Sequence, residues 1–491
     1  MSDVPVFGVV ILVVAVAVLA AILSNHVSER VRVPAPVLFL LAAAAASEVV
    51  PRLGTLSVIT DERVVTVALI FILFDGGVQI GWREFRASAG AILWLGVMGT
   101  AVTAGAVALV AHALFGFDWH LALLLGAALA PTDPAMVFSV LGGREITGRA
   151  GTILKGESGA NDPVGIALMA VLLEAGGSGF SSVAHGMATF ALQMVVGCAV
   201  GVIGGLLLVQ FVRHVPLPNE SLYPVRALAG AAFIYGVADV LSGSGFLAVL
   251  LAGVLLGDAR APYKHDIERF ASGLSSLAEI VAFTILGLTI DLHDVFSGTV
   301  LWVGLGITAL LVLIIRPLLV GVMMLRMNLE RGEKAFILGA GLKGAVPILL
   351  GLFALGEGGP GTHRLYLVVF VVVLTSALLQ GSLVPAMANW FKVSMNVVAL
   401  EPWSLGLRFR AEPTGLQFHV VAAGSAADGV EIRHLAVGDE TWVSLVRRNG
   451  ELVEIHGGTE LRGGDEVLII GGTDVNGLFG PSSKAGDHPA P

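Results

Sequence analysis

Lys155-Gly-Glu-Ser-Gly-Ala-Asn-Asp-Pro-Val-Gly-Ile-Ala-Leu-Met169 is the stretch whose reading decides the rest of the chain. Two acids, Glu157 and Asp162, stand at the head of an apolar run from Pro163 to Leu173 that has the character of a membrane helix. An acid at the centre of a spanning helix costs about 2.5–3.5 kcal/mol on insertion scales. Two of them this close together need a wet cavity in which they act. Glu157, Asn161 and Asp162 follow i, i+4, i+5 spacing and share one face of a helix. The plainer reading makes this a helix start, with Glu157 and Ser158 capping a first turn whose positive end favours carboxylates. That reading suits Glu157 better than Asp162, which lies deeper in the run.

The surrounding composition agrees with a membrane setting. The chain has 491 residues, 56% apolar and 13% charged, against roughly 25% charged in soluble domains. Apolar segments of spanning length, about 20 residues each, recur until about residue 392. We read about 13 spans: Val4–Leu23, Val33–Val50, Arg63–Ile80, Ala89–Leu114, Leu121–Leu141, Glu157–Ala175, His185–Val212, Leu222–Leu241, Gly245–Gly257, Gly273–Ile290, Val300–Leu325, Lys334–Ala354 and Leu365–Phe391. Gly245–Gly257 is short for a span. Val4–Leu23 has no basic start and no small-residue cleavage site, so it reads as a helix and not a signal peptide. The single Cys198 lies in an apolar run and reads as a packed core thiol.

Loop charges test this count through the positive-inside rule. With the N-terminus outside, the inside loops carry Arg30, Arg32, Arg83, Arg86, Arg144, Arg149, Lys155, Arg213, Arg260, Lys264, Arg269, Arg326, Arg331, Lys334 and Lys392. The outside loops carry Arg52, Arg63 and Arg364. The asymmetry predicts an odd number of spans, a multi-pass protein of the cell (inner) membrane, and a cytoplasmic C-terminal tail.

Two spans cannot be continuous helices. The fifth contains Ala130-Pro-Thr-Asp-Pro134, in which each proline removes a donor and clashes with the preceding turn. The twelfth contains Gly339-Ala-Gly-Leu-Lys-Gly-Ala-Val-Pro347, interrupted by Gly and Pro and carrying Lys343. Broken backbone survives in a membrane where it is buried in protein or lines a cavity. Interrupted segments in corresponding halves point to an inverted-repeat transporter with its site at the midplane. The plainer reading of each is an ordinary kink. Arg316, within Ile314-Ile-Arg-Pro317, needs an acidic partner, and Glu157 is the best candidate; snorkelling to an interface is the alternative. Asp75 and Glu279 either line the path or satisfy helix packing. No Cys/His metal cluster, phosphate loop or nucleophile–base pair stands out, so neither an enzyme nor a cofactor is expected.

Gly156-Glu-Ser-Gly-Ala-Asn-Asp-Pro163, Pro131-Thr-Asp-Pro134 and Gly341-Leu-Lys-Gly-Ala-Val-Pro347 together resemble the cation:proton antiporter-1 (NhaP-type) family. The likeness is strongest to its bacterial potassium/proton branch and covers about residues 5–392. The resemblance implies an all-α polytopic membrane protein of 13 helices, two inverted six-helix repeats around a linking seventh, with crossed broken helices. It also implies a homodimer with a panel for dimer contact and a mobile core. On this pattern Asp162 binds cation and proton, Thr132 and the Asp133 backbone region help hold the cation, and Ser158 lies beside it. Asn161 orients the site, and Glu157 pairs with an arginine, here Arg316. The family's twelfth helix usually carries arginine where this chain has Lys343.

The chemistry can also be read from the residues. A carboxylate that takes either a proton or a bare cation needs the two to compete near neutral pH, and burial supplies this by disfavouring the charged form. One such carboxylate gives one-for-one exchange. Asn161 stands where a second carboxylate could carry a second proton, so exchange is expected to be electroneutral. Oxygen ligands suit a hard monovalent cation, K+ or Na+.

After Phe391 the pattern changes. From Met395 onward there are 13 acidic and 7 basic residues, which suits no nucleic acid. Leu416–Ala422, Val430–Leu435, Thr441–Arg447, Leu452–Ile455 and Asp465–Ile470 alternate between turns and predict a small mixed α/β domain. Val446-Arg-Arg-Asn-Gly450 and Gly463-Gly-Asp-Glu-Val467 resemble the C-terminal module of potassium-channel regulators (TrkA-C-like). The expected organisation is a transport domain over 1–392, a regulatory domain over 400–475 and a disordered tail over 476–491. The small domain either binds a nucleotide or other small regulatory ligand, or stabilises a dimer. The expected partners are K+ or Na+, H+, membrane lipid and a second copy of the chain. A cation channel, and a membrane enzyme using Asp133 and Asp162 as acid and base, are the competing classes.

Overall fold

The computed structural model describes residues 33–50, 57–141, 144–174, 180–296, 298–397, 416–435, 437, 441–448, 451–470 and 476–480. The expected first span Val4–Leu23, the loop residues Arg30, Arg32 and Arg52, and the stretch after residue 480 lie outside them. The chain divides into two compact units, Met1–Val397 and Val398–Pro491.

The first unit is helical. In chain order its helices are α1 (Ala35–Val49), α2 (Val58–Ile80), α3 (Trp82–Phe115), α4 (Trp119–Leu129), α5 (Ala135–Ser139), α6 (Gly148–Glu174), α7 (Phe180–His214), α8 (Leu222–Val240), α9 (Gly245–Gly257), α10 (Lys264–Leu288), α11 (Leu292–Phe296), α12 (Val300–Met324), α13 (Arg331–Gly339), α14 (Ala345–Gly356) and α15 (Thr362–Trp390). Among the described residues six are long and apolar enough to cross a membrane, and α1, α4, α9 and α14 are shorter apolar helices. Local chemistry sets several ends. Ser57 caps α2 by accepting the Thr60 N–H, Asp118 caps α4 by accepting two N–H groups, and Ser244 caps α9. Gly81, at φ 69°, makes the turn from α2 into α3.

Several expected boundaries need correction. The sixth span starts at Gly148, so Glu157 lies inside a helix and caps nothing. The extension forms because Ala150, Gly151, Thr152, Ile153 and Leu154 are buried there. The tenth starts at Lys264, where a polar, amphipathic stretch continues the helix. Cys198 is exposed on α7 and is not a core thiol. Its run is apolar because that helix presents apolar side chains outward, Leu206 and Leu207 among them. Gly245–Gly257, the short span, is a helix of those residues.

The helices form two packed groups. The first contains α1, α2, α7, α8, α9 and α10, with α9 packed against α2 and α7. Gly197, Gly201 and Gly205 of α7 meet Ser244, Ala248 and Ala252 along a seam of small residues. The second contains α3–α6 and α12–α15. Within it α3 and α12 each carry a π-helical segment, Trp94–Gly99 and Leu311–Val320. The second includes Pro317, whose missing N–H cannot join a regular α ladder. Beside this group, β1 (Arg144–Ile146), ahead of α6, pairs antiparallel with β2 (Met395–Val397), after α15. The loop after the fifth span and the segment after the last therefore lie at the same end of the bundle.

The second unit contains a four-stranded antiparallel sheet of β3 (Leu416–Val420), β4 (Trp442–Arg448), β5 (Glu451–Leu452) and β6 (Glu466–Ile470), in the order β3-β6-β4-β5. Helix α16 (Asn476–Phe479) follows. Val421, Val446, Leu461, Val467, Ile469 and Phe479 form its core. Val430–Leu435 is not a strand. It holds a 3-10 turn at Ile432–His434, which Arg433 tightens locally with an ion pair to Glu431 at 2.7 Å. Leu452–Ile455 contributes only the end of the two-residue β5. Asp465 is buried. Burial pushes its carboxyl up, but two hydrogen bonds from Arg448, at 2.8 and 2.7 Å, and the Arg462 N–H outweigh this and hold it below the usual range.

Candidate functional site

Prolines 131 and 134 end α4 at Leu129 and delay α5 until Ala135. Residues 340–344 separate α13 from α14. The two breaks are stitched together. The Asp133 N–H donates to the Leu342 carbonyl at 2.8 Å. Lys343, only 2% exposed, donates to the Ala130 and Pro131 carbonyls at 3.0 and 2.9 Å. Those carbonyls lie at the end of α4 and have no helical donors, so a buried ammonium is well placed there. The Lys343 N–H in turn donates to Ser376 Oγ, Ser376 donates to Gln380 Oε1, and Gln380 Nε2 donates to the Gly339 carbonyl. Helix α15 thus holds the second break in shape.

Helix α6 holds the first. Ser158 Oγ donates to the Thr132 carbonyl at 2.6 Å, and Asn161 Nδ2 donates to Thr132 Oγ1 at 2.8 Å. The Thr132 N–H returns to Asn161 Oδ1 at 3.4 Å. Thr132 keeps a lone pair on its hydroxyl and a hydroxyl proton for other partners. Asp133 Oδ1 accepts the Ala135 N–H at 2.8 Å at the start of α5.

Asp162 differs from its neighbours. It is 9% exposed, and among the described residues no protein group hydrogen-bonds to its carboxylate. Asp133 and Lys343 are the charged groups that act on it. A buried carboxylate left without protein donors is free to bind a proton or a cation.

The structure brings Arg316 to Glu157, with Nη2–Oε1 at 3.0 Å and both side chains buried. Arg316 also donates to the Leu338 and Ile337 carbonyls at the end of α13. Glu157 Oε2 is buried without a hydrogen-bond partner among the described residues. Of the two other acids, Asp75 is buried on α2 and accepts from Gln79 Nε2 at 2.7 Å. Glu279 is half-buried on α10, within electrostatic reach of Asp133. Among the described residues no group of three His, Cys, Asp or Glu is arranged to hold a metal ion. Sequence reading missed the support from Ser376 and Gln380 and the carbonyl partners of Lys343. Backbone acceptors leave no trace in a sequence, and a lone Ser or Gln in an apolar helix marks only that some partner exists.

Comparison with known proteins bears on what this arrangement does. The family model "Sodium/hydrogen exchanger, transmembrane" matches residues 14–390. A K(+)/H(+) antiporter NhaP2 of Shewanella sp. (strain ANA-3) is 32% identical over 93% of this chain and 80% of its own length. A K(+)/H(+) antiporter NhaP of Alkalimonas amylolytica is 34% identical over 78% of this chain and 67% of its own. Among solved structures, the sodium proton antiporter MjNhaP1 of Methanocaldococcus jannaschii superposes with a TM-score of 0.65 at 22% identity. That match covers 77% of this chain and 99% of that one, and it supports likeness of fold.

Proposed function

The chain belongs to the sodium/hydrogen exchanger family, and from that premise we propose that it is a secondary antiporter exchanging a monovalent cation, potassium, for protons. Asp162 is the carboxylate for which they compete. The observation that carries the reading is the isolation of this carboxylate: it is buried beside two broken helices and receives no hydrogen bond from the described protein. In low dielectric such a group is neutral with a proton or with a cation, and costly with neither. Loading by one expels the other, which couples the two fluxes.

Thr132, Ser158, Asn161 and Asp133 shape the place around it. Ser158 and Asn161 fix Thr132, whose hydroxyl offers a hard cation an oxygen ligand. Asn161 adds no charge of its own, so one cation replaces one proton and turnover is electroneutral. Glu157 and Arg316 form a structural ion pair. The homodimer, the orientation with the C-terminal unit in the cytoplasm, and a TrkA-C-like regulatory role for that unit belong to this same reading. Potassium is favoured by the names of the relatives near 32% identity and by the tail's resemblance to modules of potassium systems.

The test is dye-reported proton flux in proteoliposomes, driven in turn by potassium, sodium, lithium and rubidium. Flux driven by potassium without conductance is the expected result. Flux driven by sodium and not potassium would reassign the cation and leave the carboxylate mechanism in place. Conductance without proton coupling would make the protein a channel.

A further inference from the structure

The second break holds two glycines, Gly341 and Gly344, flanking Leu342 and Lys343. Neither has a positive φ, the conformation that most often calls for glycine. Space is the constraint. A β-carbon built at Gly344 has as its three nearest atoms Cβ, Cγ and Oδ2 of Asp133, the first two at 2.5 Å and the third closer. A β-carbon at Gly341 would lie 2.8 Å from Arg316 Nη1, and closer to Nε and Cζ. Each glycine is a notch that receives a charged side chain from another span.

We propose that Gly344 is a positioning residue for exchange: its bare backbone seats the Asp133 carboxylate against the second break, beside Asp162. The proposal rests on the reading of Asp162 and Asp133 given above. Any side chain at position 344 must turn the Asp133 carboxyl group and shift the backbone that carries its β-carbon, or push α14 away. Displacing Asp133 costs the bond to the Ala135 N–H and moves a charge that acts on Asp162. The cation affinity and pH response of Asp162 then change through Asp133, with no contact between Gly344 and the ion required.

The test is Gly344→Ala in the full-length protein. In proteoliposomes the apparent KM for the driving cation should rise about tenfold and the pH profile should move, with turnover at saturating cation within about threefold of the parent. An unchanged KM and pH profile would overturn the proposal. A double-mutant cycle with Asp133→Ala, closed on thermal unfolding in detergent with and without cation, identifies the route. Once the Asp133 carboxylate is gone, Gly344→Ala should cost clearly less than in the parent, the contact with the β-carbon at position 133 alone remaining, and if Gly344→Ala alone folds poorly the double variant should recover part of its stability. Equal costs in both backgrounds would show a packing role only, overturning the proposal while the site reading stands. Wild-type transport by Asp133→Ala alone would instead remove Asp133 from the site, and this proposal with it.

Discussion

Arg316 and Lys343 hold matching positions: the guanidinium of the first closes the carbonyl end of α13, and the ammonium of the second closes the carbonyl end of α4. Each is a buried cation supplied by a different span from the helix it caps. Breaking a helix in a membrane strands carbonyls without donors, and in both breaks a fixed positive charge answers them. The two cations differ in their acids. Arg316 has Glu157 at 3.0 Å, whereas among the described residues no carboxylate lies within ion-pair distance of Lys343.

Asp162→Asn should abolish cation-driven proton flux and leave the fold intact, because the amide can neither release a proton nor neutralise a cation. Flux is read in proteoliposomes and folding by thermal unfolding in detergent. Cation-driven proton flux at the parent rate in the folded variant would end the carrier role of Asp162.

Arg316→Ala should destabilise the membrane unit by about 3–5 kcal/mol, since it leaves Glu157 charged and buried. It also strips donors from Leu338 and Ile337. Glu157→Gln should cost less, because an amide can still accept from Arg316. Thermal unfolding of the two variants in detergent ranks them, and the reverse order would contradict the capping role of Arg316.

Lys343→Met should leave the Ala130 and Pro131 carbonyls unpaired, at about 1.5–3 kcal/mol for each lost charged hydrogen bond. Lys343→Arg keeps the charge but must fit a planar fork where a point donor now reaches two carbonyls. It should therefore retain more stability than Lys343→Met and less transport than the parent. Equal stability of parent and Lys343→Met would show that the two carbonyls find other donors.

The small sheet should loosen in acid. The hydrogen bonds from Arg448 and the Arg462 N–H hold the Asp465 carboxyl below the usual carboxylate range in the folded unit, so its contribution is complete above the unfolded value and drains away as pH falls through the folded one. Hydrogen exchange at Val446 and Val467 in the full-length protein should accelerate below about pH 4. Asp465→Asn should make exchange at these amides faster at neutral pH and less sensitive to acid. An acid response identical to the parent's would assign the loosening to other groups.

A truncation ending at Val397 should still exchange ions, with an altered apparent affinity or pH response. The tail can bias transport only by contacting the transport states differently. A folded but wholly inactive truncation would place part of the transport machinery in the tail.

The sequence made the breaks legible because Pro131 and Pro134 forbid a continuous helix and Gly339–Pro347 weakens one. It made Arg316 legible as a charge in need of an acid, because an arginine amid apolar residues has few ways to be satisfied. It did not give the start of α6, since Gly148–Gly156 is glycine-rich and carries charges, and helix forms there through burial against neighbours that are distant in sequence. The π-helical winding of Leu311–Val320 shifts which residues face inward, and a count based on 3.6 residues per turn carries no sign of that shift. The glycine notches went unread for a related reason: a glycine chosen for its neighbour's bulk looks the same in sequence as one chosen for its own φ.

The β1–β2 ladder has a mechanical consequence. Its second strand is the last described part of the chain before the second unit, and its first strand runs within two residues into α6, the helix of Ser158, Asn161 and Asp162. Tension along the connecting chain is therefore borne first by a three-residue hydrogen-bonded clasp. A pull that the clasp withstands reaches the N-terminal end of α6, so the strength of these few backbone bonds sets the largest load that can pass from the chain beyond Val397 to the helix that carries Asp162.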